Sequence, residues 1–173
     1  MLGFKKKKNS FNMFATQNGE AIELSKVPDE AFASKMLGDG IAIIPNDNNI
    51  LSPVDGTIIQ VTDTLHAYGI QTETGLDVLV HIGINTVELK GEGFKSLVKE
   101  GDKVKVGNPI ATADLELIKE KGYEIYTPII ITNVSDVENL SCNYGNVTAG
   151  KDIVITYTLQ KWLFFSYYKY YCI

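Results

Sequence analysis

The chain contains only two histidines, His66 and His81, and a single predicted turn separates them. The flanking segments, His66–Gln71 and Leu76–Ile84, are rich in β-branched and aromatic residues, which favour strands. Between them, Thr72–Gly75 has the composition of a turn. We therefore predict a β-hairpin that brings both histidines close together.

The register of this hairpin depends on its loop. A two-residue loop of Glu73 and Thr74 would place His66 directly opposite His81, with Cβ atoms about 4.5 to 5.5 Å apart. If Gly75 instead forms a bulge, the pairing shifts by one residue. Both registers keep the two imidazoles near each other, so the prediction of proximity does not depend on the choice.

Three kinds of role are open to the pair. A single histidine in an apolar strand is more often a core residue than a reactive group. A neutral imidazole is also a nucleophile and proton carrier, with an ordinary pKa of about 6.5, so one ring can attack while its neighbour donates a hydrogen bond. Metal binding is the third role, although two ligands leave a zinc site underfilled because about four are usual.

Length and composition indicate the fold class. A chain of 173 residues suits one domain, and 45% hydrophobic residues with 15 glycines fit a compact fold with many turns. Short strand-like segments alternate with turns, and only Asp29–Leu37 and Leu115–Lys121 have helical composition. We predict an all-β, single-domain antiparallel β-sandwich or barrel of many short strands with one or two short helical turns.

Charge and cysteine content narrow the function classes. Four of the 16 basic residues, Lys5–Lys8, lie near the start of the chain, before any acidic residue. The whole chain has 21 acidic residues and a net charge of −5, so the part that follows these lysines, the body, is acidic. An acidic body argues against a nucleic-acid partner and suits a basic protein partner. Cys142 and Cys172 show no metal-cluster spacing, and the sequence has neither a secretory signal nor an apolar run of 18 residues. We predict an intracellular protein with reduced thiols.

Four motifs carry a family resemblance. They are PVDGTI (Pro53–Ile58), TLHAYGI (Thr64–Ile70), VHIGINTVELKGEGF (Val80–Phe94) and EGDKVKVG (Glu100–Gly107). In these motifs the chain closely resembles the IIA domain of the glucose family of the bacterial phosphoenolpyruvate-dependent sugar phosphotransferase system. The likeness extends over residues 15–159, which we predict to be the EIIA domain.

The two chain ends fall outside the resemblance. Residues 1–14 form a basic and aromatic segment, predicted to be a flexible tail or a reversible contact with an anionic membrane surface. Residues 160–173 are dense in aromatic side chains. Such a strip can anchor at a membrane interface, pack on a partner or reflect an altered reading frame, and its role stays unknown.

The resemblance implies a phosphocarrier in the bacterial cytoplasm. It would accept a phosphoryl group from phospho-HPr and donate it to the IIB domain of a glucose-type sugar permease. By resemblance, His81 is phosphorylated through Nε2, His66 is the auxiliary histidine, and Thr64 joins the hydrogen-bond network around the phosphate. Such a phosphotransferase component requires no cofactor, and the chain has no G-x-x-x-x-G-K-[ST] nucleotide loop.

A partner-binding surface should surround the histidines. We expect it to be apolar and shallow, with candidates Leu79, Val80, Ile82 and Val87, half of which must face the core. The family also has acidic residues at the edge of this surface. By resemblance, Asp39 takes one such position, whereas Asn85 stands where the family usually has Asp and so removes one charge. Asp39, Asn85 and Val87 are therefore the predicted partner-binding residues.

Other functions were weighed against the phosphocarrier. A regulatory module that inhibits permeases or kinases when unphosphorylated is the main alternative, and family members can do both. A zinc metallopeptidase needs more metal ligands than two histidines provide. Zinc at His66 and His81 is expected only together with a partner carboxylate or another outside ligand. The sugar that is served is not readable from these residues.

Overall fold

A computed structural model describes residues 10–160 of the chain. Within this range the polypeptide forms fourteen strands and two short α-helices. The strands are β1 (Ser10–Phe14), β2 (Gly19–Glu23), β3 (Asp39–Pro45), β4 (Asn49–Leu51), β5 (Gly56–Val61), β6 (Ala67–Thr72), β7 (Asp77–His81), β8 (Phe94–Ser96), β9 (Lys103–Val104), β10 (Pro109–Ala113), β11 (Thr127–Ile131), β12 (Val137–Cys142), β13 (Gly145–Val147) and β14 (Ile153–Leu159). The helices are α1 (Glu30–Ala33) and α2 (Leu115–Glu120).

The strands form one large sheet and two small ones, all with antiparallel pairing. The large sheet has eight strands in the order β13-β2-β3-β11-β7-β6-β5-β9, and the small sheets have the orders β1-β14-β12 and β4-β10-β8. This architecture confirms the predicted all-β sandwich with two short helical turns.

The large sheet is covered on both faces, and β7 shows how. Alternation along a strand sends successive side chains to opposite faces. Val78 and Val80 enter the main core, whereas Leu79 packs on a second, smaller apolar cluster. Members of the second cluster include Ile22, Leu24, Val27, Phe32, Ala42, Ile84 and Ile130. His81 follows Val80, so it shares the second face with Leu79.

Both helices begin at an aspartate cap. The Asp29 carboxylate accepts hydrogen bonds from the backbone N–H groups of Ala31 and Phe32, and Asp114 accepts from that of Leu117. These bonds satisfy N–H groups that have no partner inside the helix. The cap on α1 fixes the segment that covers the second face of the sheet.

The hairpin β6–β7 forms, but its register differs by one residue from the two-residue-loop prediction. Ala67, not His66, lies opposite His81, and Gln71 pairs with Asp77. The cause is a three-residue loop in which Gly75 adopts a left-handed φ of 85°, a conformation that glycine takes without a steric penalty. The alternative with a bulge at Gly75 is therefore the correct register.

The N-terminal boundary of the domain also needs correction. Ser10–Phe14 is strand β1, paired with β14 from Ser10–Thr158 onward, so the tail predicted over residues 1–14 ends before Ser10. Residues 1–9 and 161–173 lie outside the described part of the chain, and with them the rest of the predicted N-terminal tail and all of the predicted C-terminal tail except Gln160. None of the helices within residues 10–160 is long and apolar enough to span a membrane.

Candidate functional site

His81 is held at the end of β7 by a main-chain acceptor. Its Nδ1 lies 2.8 Å from the carbonyl oxygen of Gly83, two residues further along. Gly83 has a left-handed φ of 74°, and a Cβ there would collide with the side chain of Thr86. Glycine is therefore required at this turn, which directs the carbonyl towards the imidazole.

The contact with Gly83 sets the tautomer of His81. A carbonyl oxygen only accepts, so Nδ1 must carry the hydrogen. In a neutral imidazole the other nitrogen then has no hydrogen and keeps its lone pair. The Nε2 atom of His81 is consequently the free nucleophilic nitrogen of the ring.

Burial keeps this imidazole uncharged. Burial, together with the neighbouring His66, lowers the pKa of His81 from 6.5 to about 4, whereas the Gly83 carbonyl and the Asp29 carboxylate act in the opposite direction. The ring of Phe32 packs against His81 edge to face, with centroids 5.1 Å apart. At neutral pH, His81 is therefore a neutral base in a largely apolar surrounding.

His66 reaches the same place from a tight loop that precedes β6. Leu65 has a left-handed φ of 58°, which reverses the chain just before His66. The His66 carbonyl then accepts a hydrogen bond from the backbone N–H of Ile82 at 2.7 Å. That bond ties the loop directly to the chain segment that follows His81.

The two imidazoles are in contact. Their centroids are 4.9 Å apart and their planes are inclined at 80°, an edge-to-face arrangement. His66 is 9% exposed, and burial lowers its pKa from the ordinary 6.5. The structure thus brings the two predicted histidines together as a pair of neutral rings.

Thr64 lies beside the pair, as the resemblance implied. Its Oγ1 is 2.6 Å from Nδ1 of His66. The hydroxyl of Thr62 approaches the same nitrogen at 3.3 Å. Sequence reasoning did not single out Thr62, although its spacing of four residues from His66 across a turn could have suggested it.

The predicted partner-binding residues fall in different places. Val87 is 47% exposed and Asn85 is exposed, both at the short 3-10 turn that follows β7. Val80 and Ile82 are fully buried in the main core.

Asp39 lies on β3, two strands away from the strand of His81, and its level in the large sheet is three residues from that of His81. Its carboxylate forms an ion pair with Lys35 at 2.9 Å. The structure does not bring Asp39 to the histidines.

Two further residues at the site, besides Thr62, were missed by sequence reasoning. Asp29 acts on His81 electrostatically and Phe32 contacts its ring, and both belong to α1 and its cap. One sequence signal could have indicated them. Asp29 has the residue type of a helix N-cap, and it precedes a short helical segment that is already similar to the family. The role of Asp39 stays a prediction, but Asp29 is the acidic residue beside the pair.

The described residues do not form a complete metal site. Across residues 10–160 there is no group of three or more His, Cys, Asp or Glu side chains that could hold a metal ion. Zinc on His66 and His81 would therefore need ligands from another molecule, and this expectation stays a prediction.

The depressed pKa of His81 predicts a loss of stability in mild acid. Between pH 6.5 and about 4 the unfolded chain binds a proton on His81 that the folded chain does not. Above pH 6.5 this group does not lower the free energy of unfolding. As the pH falls from 6.5 towards 4, the free energy of unfolding decreases by on the order of 3 kcal/mol.

Urea unfolding at pH 7 and pH 4.5 measures this effect. We expect the wild-type protein to lose more unfolding free energy on acidification than His81→Gln, because the glutamine side chain does not titrate. Carboxylate titration is common to both proteins and cancels in the comparison. Equal losses in the two proteins would contradict the assigned shift.

Comparisons with known proteins agree with this architecture. A family model described as phosphoenolpyruvate-dependent sugar phosphotransferase system, EIIA 1, matches residues 11–137. The PTS system glucose-specific EIIA component of Buchnera aphidicola subsp. Acyrthosiphon pisum is 44% identical over 144 residues, which cover 83% of this chain and 89% of that protein. The protein of the same name from Halalkalibacterium halodurans is 44% identical over 149 residues, 86% of each chain.

A solved structure shows the same fold. Glucose permease IIA from Mycoplasma capricolum matches with a TM-score of 0.81 at 38% identity, covering 90% of this chain and 99% of that chain. The resemblance read from the four sequence motifs is thereby confirmed. The chain belongs to the EIIA 1 family of the phosphoenolpyruvate-dependent sugar phosphotransferase system.

Proposed function

We propose that this protein is a histidine phosphocarrier that accepts a phosphoryl group from phospho-HPr on Nε2 of His81 and donates it to the IIB domain of a glucose-type sugar permease. The observation that carries the proposal is the hydrogen bond from Nδ1 of His81 to Gly83, which leaves Nε2 as the free nitrogen of a neutral ring. The glucose-specific names of the relatives support the choice of permease class.

The transfer needs only groups that the site offers. The Nε2 lone pair attacks phosphorus, the new N–P bond forms, and the bond to the donor breaks with its electron pair returning to the donor. The phosphorylated ring keeps its Nδ1 hydrogen and gains positive charge. The Gly83 carbonyl and the Asp29 carboxylate both raise the pKa of His81, so they favour a positively charged ring.

His66 completes the site as a hydrogen-bond donor. Phosphoryl transfer is mostly a matter of positioning and of stabilising charge on the phosphoryl oxygens. An N–H of His66, whose ring contacts that of His81, can donate to one of these oxygens. Under this proposal the reaction uses neither a nucleotide nor a cofactor, and it takes place in the bacterial cytoplasm.

Labelling tests the proposal. The protein is incubated with radiolabelled phosphoenolpyruvate, enzyme I and HPr, and the phosphorylated residue is then mapped. We expect one acid-labile label on His81, with the ³¹P signal of an Nε2-linked phosphohistidine. Label on another residue, or on Nδ1 of His81, would overturn the assignment.

Val87 and Asn85 are proposed to contact the protein partners. Both are exposed beside the end of β7. Placing a charge on Val87 should oppose desolvation of the interface, so we expect Val87→Glu to slow transfer from phospho-HPr about tenfold.

The matched control is Leu97→Glu. Leu97 has a similar exposure of 44% and follows β8 of a different sheet. Equal effects of the two substitutions would argue against this docking surface.

A further inference from the structure

Leu65 has an unusual backbone conformation for its residue type. Within residues 10–160, four residues other than glycine have a left-handed φ, namely Lys35, Leu65, Asn85 and Lys90. Three of them are exposed, whereas Leu65 is half-buried. A side chain with a Cβ meets steric repulsion in this region, and leucine has no polar group that could offset it with a local hydrogen bond. Contacts elsewhere in the molecule must therefore hold Leu65 in this conformation.

The main core supplies such a contact. The side chain of Leu65 packs against the buried residues of the main core. Its backbone N–H donates to the Thr62 carbonyl at 2.8 Å, which closes a turn over residues 62–65. On the other side of Leu65, the His66 carbonyl accepts a hydrogen bond from the N–H of Ile82. The strained residue is thus fixed by the packing of its own side chain and by one hydrogen bond on each side.

This turn sets the positions of the two residues that flank Leu65. The reversal brings Thr64 and His66 together, with Oγ1 of Thr64 2.6 Å from Nδ1 of His66. The His66 ring then lies against that of His81, with centroids 4.9 Å apart. An extended conformation at position 65 would separate Thr64 from His66 and change the direction in which the His66 ring projects.

We propose that Leu65 is a positioning residue whose apolar side chain, anchored in the main core, holds the left-handed turn that presents the His66 ring to His81. This inference rests on the proposed phosphocarrier function, in which His66 donates to a phosphoryl oxygen. The nucleophile itself is held by the Gly83 carbonyl. Loss of the Leu65 anchor should therefore slow onward donation and leave acceptance close to the wild-type rate.

Three substitutions at position 65 separate packing from backbone strain. Leu65→Met keeps an apolar side chain of similar volume, so donation should match the wild type within about twofold. Leu65→Ala removes most of the packing but keeps the Cβ that opposes a left-handed φ, so we expect donation about tenfold slower. Leu65→Gly also removes the packing but takes a left-handed φ without a steric penalty, so it should donate about threefold faster than Leu65→Ala.

The order of alanine and glycine distinguishes this proposal from a role in packing alone. If Leu65 only filled space, glycine would be no better than alanine, because it is smaller and more flexible. Rapid-quench measurements of acceptance from phospho-HPr and of donation to a IIB domain give both rates, and urea unfolding establishes that each variant is folded. Donation by Leu65→Gly no faster than by Leu65→Ala, or equal slowing of both steps, would overturn the proposal. If Leu65→Ala does not fold, wild-type donation by Leu65→Gly would overturn it instead.

Proton NMR follows the ring positions without a phosphorylation assay. The chain has only two histidines, so a nuclear Overhauser effect between their ring protons reports directly on the contact. We expect this signal in the wild type and in Leu65→Met, and its weakening or loss in Leu65→Ala. An unchanged signal in Leu65→Ala would overturn the role of Leu65, even if labelling still places phosphate on His81. Failure of His81 to accept phosphate would instead overturn the proposed function and leave the NMR result intact, so the two failures are distinguishable.

Discussion

Replacing His81 with alanine is expected to abolish phosphoryl acceptance from phospho-HPr. The substitution removes the one free imidazole nitrogen that the Gly83 contact leaves as a nucleophile. Loss of a covalent nucleophile typically costs several orders of magnitude, so we expect at least about a 10³-fold fall in the labelling rate. Incorporation of acid-labile phosphate from phosphoenolpyruvate, enzyme I and HPr provides the measurement.

The control for this experiment must retain the fold and the nucleophile. Leu97→Glu serves this purpose, because Leu97 is exposed outside the large sheet and should label at the wild-type rate. Circular dichroism of His81→Ala establishes that the variant is folded. Continued accumulation of acid-labile phosphate on folded His81→Ala would show that another residue is the acceptor.

Replacing His66 with glutamine should separate the two half-reactions. The His81 nucleophile is unchanged, so acceptance should stay within a few-fold of the wild-type rate. Onward donation should fall about 10²-fold, the cost of removing one well-placed donor to a developing charge. Glutamine also has N–H groups, but its amide differs from the imidazole in length and direction, so it does not replace the ring N–H as a donor to the same phosphoryl oxygen.

Rapid-quench measurements of each step test this prediction. Acceptance is followed as label appears on the protein, and donation is followed as label leaves the phosphorylated protein on addition of a IIB domain. If both steps slowed equally, His66 would instead support the nucleophile in general. If neither step slowed, His66 would be a packing residue.

The meeting of the two histidines was predictable because it depends on a local feature. One turn separates two strand-like segments, and both candidate registers keep the rings close. The register itself was not fixed by the letters Thr-Glu-Thr-Gly, which suit a two- or a three-residue loop. The left-handed conformation of Gly75 decides between them. Leu65, which turns His66 back beside His81, carries no sequence signal for its positive φ.

The remainder of the site depends on contacts between distant parts of the chain. Asp29 and Phe32 reach His81 only because the segment around α1 covers the second face of the large sheet. Periodicity shows which residues are apolar but does not show which segment covers which face. Asp39 was named from the family resemblance, whereas Asp29 was not named as a site residue. The position of Asp29 beside His81 follows from the packing of α1 and its cap on the sheet.

The two histidines differ in what contacts Nδ1: a main-chain carbonyl at His81 and side-chain hydroxyls at His66, and this difference affects how each can evolve. Every residue has a main-chain carbonyl, so a substitution at position 83 can displace the acceptor that fixes the ring hydrogen of His81, through the collision with Thr86, but cannot delete it. The hydroxyls beside His66 belong to Thr62 and Thr64, and each can be lost or restored by one substitution. Natural variation should therefore tune the speed of phosphate release through the loop before β6 while the attacking nitrogen stays the same.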